Sequence, residues 1–245
     1  MNTPPDSLAP PAFPATHWSG VLRATGESSV EAAAALEALC RTYWPSVYAF
    51  IRRRGYDGSR AQDLTQGFFT RFLEKEYLNR ADQSRGRFRS LLVSSVENYL
   101  HNEHARTNTQ KRGGGAALVC LDAEAAELGF QESALTEESP AQAFEKRWAS
   151  VLLEGVFRRL EREFAETGRQ DLFDRLQPHL WGDEEALPYT ELAAQLGTTE
   201  AAVKMAALRL RRRFREILRE DIAQTVATPD EIDDEIRHLM DVFSQ

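Results

Sequence analysis

The stretch whose reading decides the fold runs from Tyr189 to Arg213, YTELAAQLGTTEAAVKMAALRLRRR. It opens almost uncharged and ends in a crowd of arginines. Ala193 is followed four residues on by Gly197, and Val203 comes six residues after that. This is the spacing of two helices crossing through a tight turn: the alanine permits close approach, the glycine takes the turn, and the valine packs back on the first helix. Leu192, Leu196 and Leu210 complete a small core, and Thr198 or Thr199 caps the second helix. If that helix enters a DNA major groove, Thr199, Glu200, Lys204 and Met205 face outward. Arg209, Arg211, Arg212 and Arg213 follow along it towards phosphates. These residue types suit backbone contact better than base reading.

A cationic helix end stands out because the whole chain is acidic, with a net charge of −8 over 245 residues. Positive charge is concentrated rather than spread. Residues 41–112 carry +7 and residues 189–220 carry +3, while residues 113–188 carry −9 and the tail 221–245 carries −6. Two basic islands divided by an acidic stretch suggest two polyanion contacts on one molecule.

Working outward, the segments on either side read as helices. The first fifteen residues hold five prolines and almost no charge, the composition of a disordered leader over 1–29. From Val30, apolar residues fall at steps of three and four: Leu36, Leu39, Tyr43, Val47, Phe50 and Ile51. Gly55 and Gly58 break the pattern. A second helix, capped by Ser59, carries Leu64, Phe68, Phe72 and Leu73 on one side and Asp63, Gln66, Thr70 and Glu74 on the other. A third is marked by Phe88, Leu92, Val96 and Tyr99. Three such helices with short connections make a compact bundle over 30–112.

Residues 113–143 read as an irregular acidic linker, with no Lys or Arg between Gly113 and Glu145. Helical periodicity resumes at Phe144 with Trp148, Val151, Leu153, Phe157, Leu160 and Phe164. Nothing alternates as a half-buried strand does. The expected class is all-α: two small helical domains, 30–112 and 144–221, joined by the linker, the second ending in a helix-turn-helix. Residues 222–245 form a tail helix whose apolar positions are Ile232, Ile236, Leu239, Met240 and Phe243. It either packs on the second domain or engages a regulator.

Composition narrows the function. No run approaches the length of a membrane span, and the N-terminus lacks a basic start followed by an apolar block, so the expectation is a cytoplasmic chain without membrane contact. Cys40 and Cys120 read as free thiols. The glycines of KRGGG lack a phosphate-loop ending, and His101 and His104 have the wrong spacing for a two-histidine zinc helix. No catalytic residue, metal ligand or cofactor is expected.

Taken in order, AQDLTQGFF at 61–69, FRSLLVSSVENYLHNEHAR at 88–106 and the stretch 189–213 resemble bacterial RNA polymerase sigma factors of the extracytoplasmic-function group, a branch of the sigma-70 family. The resemblance runs from about Val30 to Glu220. It implies that Asp63, Gln66, Thr70, Arg71 and Glu74 meet the polymerase clamp. It implies that Arg85, Arg87 and Arg89 hold phosphates at the minus-ten element, with Asn98, Asn102 and Arg106 on the same DNA and Asn98 at an unstacked base. Thr199, Glu200, Lys204, Met205, Arg209, Arg211, Arg212 and Arg213 would then meet the minus-thirty-five element. Implied partners are core RNA polymerase, promoter DNA, and an anti-sigma protein or other regulator, with a monomer when free. The linker would run through polymerase channels, or serve only solubility. Leu91, Met205-Ala206 and Gly67 depart from the family pattern, which bears on promoter sequence more than on role. A free-standing helix-turn-helix regulator and a helical interaction module without DNA contact remain alternative readings.

Overall fold

The computed structural model describes residues 30–73, 88–107, 126–128, 130, 138–180, 186–223, 225–226 and 228–244, and every regular element among them is helical. In chain order these are α1 (Val30–Arg53), α2 (Gly58–Leu73), α3 (Phe88–Thr107), α4 (Pro140–Glu166), α5 (Gln170–Leu176), α6 (Tyr189–Gln195), α7 (Glu200–Ala223) and α8 (Ile232–Ser244). Short 3-10 turns at Gln177–Leu180 and Pro229–Glu231 follow α5 and precede α8.

Helix ends form where the chain supplies chemistry for their unpaired backbone groups. Asp57 caps α2, its side chain accepting from the Arg60 N–H at 2.8 Å, so the cap lies two residues before the expected Ser59. α4 likewise begins earlier than the apolar pattern indicates, at Pro140 rather than Phe144. Ser139 and Gln142 build a reciprocal capping box there, with proline in the first turn where its missing N–H costs nothing. At its far end Gly168, at φ +67°, closes the helix: the Gly168 N–H bonds to Ala165 and the Arg169 N–H to Phe164. The Arg169 guanidinium then lies over the Phe164 ring, 4.8 Å from its centroid.

α1, α2 and α3 pack on one another, and α4 joins them. α1 makes its broadest contact with α4, ahead of α2, and α4 continues past α1 to lie against α7. At 27 residues, α4 is about 40 Å long, enough to serve both ends of the molecule. Tyr43 of α1 joins them: its ring meets Phe88 of α3 edge-on at 5.3 Å and stacks on Phe144 of α4 at 6.4 Å. Phe68, Phe72 and Tyr99 extend this aromatic cluster through α2 and α3. Beyond Phe144 the buried residues continue through Trp148, Leu152, Val156 and Leu160 to Phe173, Val203 and Leu210, so a single apolar cluster runs through both halves.

Parts of the acidic linker are pinned to this cluster rather than standing clear of it. Glu127 pairs with Arg52 at 2.8 Å and accepts from the Tyr48 hydroxyl, while Phe130 lies beneath the Arg52 guanidinium at 4.5 Å. Glu138, nearly buried, faces Arg53 at 3.7 Å and Lys146. Among the described residues no helix is long and apolar enough to cross a membrane.

Candidate nucleic-acid interface

The turn between α6 and α7 is built by backbone chemistry. Gly197 sits at φ +63°, a conformation that other L-residues adopt only at a cost. Its N–H bonds to Ala194 and the Thr198 N–H bonds to Ala193, which satisfies the last carbonyls of α6. Thr199 accepts from the Ala202 N–H at 3.2 Å and so caps α7, which turns its hydroxyl to the backbone. Ala193 and Val203 are buried on opposite sides of the turn, and Leu192 and Leu210 are sealed beneath them.

That arrangement fixes which side of α7 is free. Val203, Ala207 and Leu210 face inward. Ala201, Met205, Leu208 and Arg212 fall on the opposite face at steps of four, three and four, all exposed. Met205 is 49% and Leu208 56% exposed, and the Arg212 side chain is 82% exposed. Lys204 and Arg209 flank this row. Glu200 pairs with Lys204 at 2.6 Å across one helical turn, and Arg212 with Glu216 at 3.1 Å. Exposed pairs of this kind are worth little and exchange readily for another anion. Leu208 was not among the expected residues, although its place three residues after Met205 puts it on the same face.

The four α7 arginines expected at DNA divide into two kinds. Arg209 and Arg212 lie on the surface, whereas Arg211 and Arg213 are turned inward. Arg211 donates to the His179 carbonyl at 3.0 Å and to the Tyr189 hydroxyl at 3.3 Å, fastening the preceding turn and the start of α6 to α7. Arg213 grips Glu163 of α4 through two bonds of 2.7 Å and also reaches Glu216 and Glu220. The guanidinium hydrogen-bonded to Glu163 holds that carboxyl below the usual range, and its partners push Arg213 up. In this arrangement Arg211 and Arg213, both expected at phosphates, fasten helices together.

Arg89, expected at the minus-ten element, is turned further inward. It lies in the first turn of α3 and is only 4% exposed. Its Nε donates to Glu145 of α4 at 3.0 Å, its Nη1 pairs with Glu235 of α8, and its guanidinium sits 4.5 Å above the Trp148 ring. A buried guanidinium needs such neighbours, since an unpaired charge out of water is costly. In this arrangement it offers nothing to DNA. Of its companions, Arg85 and Arg87 lie outside the described residues, as does Glu74. Asn98 and Asn102 are exposed on α3, and Arg106 falls in the last turn of that helix.

On α2, Asp63 is exposed and Gln66 half-buried, while Thr70 donates to the Gln66 carbonyl at 2.9 Å. Arg71 reaches Glu103 of α3 at 3.6 Å. The glycine at 67 has a steric reason: a Cβ there would collide with the Tyr99 hydroxyl. Among the described residues no group of His, Cys, Asp and Glu is placed to hold a metal, and His101 and His104 are both exposed. Burial pushes the Cys40 thiol up to about 12, which leaves it a poor nucleophile.

Comparisons with protein-family models, with curated proteins and with solved structures return no match.

Proposed function

We propose that the chain is a bacterial sigma factor of the extracytoplasmic-function group, which binds core RNA polymerase and directs promoter recognition. The observation that carries this reading is the free face of α7. A capped helix, set by a glycine turn against a short partner helix, presents Met205 and Leu208 beside Lys204, Arg209 and Arg212. Apolar side chains of this kind suit thymine methyl groups in a major groove, and the cations suit flanking phosphates. On this reading α6 and α7 are a helix-turn-helix that reads the minus-thirty-five element. Asp63 and Gln66 on α2 meet the polymerase clamp, and Asn98 and Asn102 on α3 lie towards the minus-ten element.

In the free chain α1 and α4 share one core, so reaching two promoter elements at once requires that contact to yield on the polymerase. The full-length chain should co-elute with core polymerase and support specific initiation on a cognate promoter. Tight, sequence-specific DNA binding with no affinity for core would instead identify a free-standing regulator. Arg212→Ala should weaken binding to promoter DNA and lower the salt slope by about one phosphate contact. Arg213→Ala should act mainly on thermal stability. Equal effects of the two on binding at matched stability would sink the assignment of the α7 face.

A further inference from the structure

Glu235 is the most deeply buried acid of the tail, 1% exposed, and its partner is not on the second half of the chain but at Arg89, at the start of α3. Glu145 of α4 completes the cluster, bonded to Arg89 on one side and to His238 of α8, at 3.1 Å, on the other. The tail therefore touches α3 and α4, and it also packs on α7, where Asp233 pairs with Arg219. Leu239 and Val242 are buried with Glu235, Ile232 and Ile236 are half-buried, and Met240 and Phe243 point outward. The charged contact is thus buried together with the apolar face that seats α8. It also occupies a cation at the head of a helix whose exposed face carries Asn98 and Asn102.

We propose that α8 is an autoinhibitory latch, in which the Glu235 carboxylate occupies Arg89 in place of a nucleic-acid phosphate, so that release of the tail frees Arg89 for a polyanion. The two partners are mutually exclusive. One guanidinium edge cannot serve a buried carboxylate and an external phosphate together. The proposal deepens the reading of α3 as part of a DNA-binding surface and rests on it for its biological meaning, although the latch itself is a property of the free chain.

The test uses full-length Glu235→Gln, which keeps the side-chain shape and removes the charge. Hydrogen exchange on the free protein should show the amides of 232–244 exchanging at least tenfold faster, with α2 unchanged. Binding to a non-specific DNA duplex at low salt should tighten several-fold, with a salt slope steeper by about one phosphate. Adding Arg89→Met to that variant should abolish the gain. Unchanged tail exchange would overturn the latch, as would a released tail with no gain dependent on Arg89. Loss of helical signal throughout the variant would also overturn it, because the pair would then be a strut of the whole fold. None of these arms contains polymerase. A chain that passes them but fails to support initiation therefore counts against the sigma-factor reading alone.

Discussion

At the scale of single residues, Gly67 and Arg89 show how position outweighs residue type. Gly67 is a departure from the sigma-factor pattern in sequence, and in space it is the gap that receives the Tyr99 hydroxyl where α2 meets α3. Gly67→Ala should cost about 1–3 kcal/mol, the usual range for overpacking a formed interface. Tyr99→Phe removes the colliding oxygen and leaves the ring carbon at ordinary contact distance, 3.6 Å from the added methyl. The double variant should therefore recover most of the loss in a thermal or denaturant melt, and purely additive losses would contradict this packing. Arg89 was legible as a cation near the start of a helix. Its burial was not legible, because the carboxylates that receive it lie 56 and 146 residues further along the chain.

At the scale of elements, the sequence carried most of the information. The apolar steps of α1, α2 and α3 identify side chains that are buried, among them Tyr43, Phe68, Phe72, Phe88 and Leu92. The glycine turn before α7 falls where its spacing placed it. Gly197→Ala should cost about 1–2 kcal/mol, since a Cβ is strained at that positive φ. On the proposed function it should also weaken promoter binding by misaligning α7, measured as a shift in DNA affinity at a temperature where the variant remains folded. Full affinity at such a temperature would separate the turn from the interface. Element boundaries were less legible, as at Ser59 and Phe144, because caps depend on which polar side chain turns back to the backbone. In the tail helix Leu239 is buried and Ile232 and Ile236 are half-buried, as their spacing indicates, but Met240 and Phe243 are exposed. Glu235 is buried where Met240 and Phe243 were expected. Glu235, Leu239 and Val242 do fall at steps of four and three, but an acid at the first of them conceals the face.

At the scale of the whole molecule, ion pairs between α4 and α7 make the seam between these two helices acid-sensitive. Glu163 has a depressed pKa in the folded chain through its bonds to Arg213, so its stabilising contribution is present above the ordinary glutamate range of about 4.3. It is lost as pH falls through the folded value. Glu163→Gln should lower stability at neutral pH and flatten the fall between neutral and acid pH, followed by melting temperature across that interval. An unaltered acid profile would remove Glu163 from it. What the sequence determined by itself was local: helical class, helix positions, the turn before α7, and the sign of charge on each segment, all set by interactions over three or four residues. Tertiary structure alone decided that α1 lies on α4, that Glu127 and Glu138 of the acidic stretch pair with Arg52 and Arg53, and which arginines remain available to a partner. The reason is physical. Periodicity shows that a face must be covered and charge shows that it must be neutralised, but which distant face or carboxylate does so depends on how whole helices fit together.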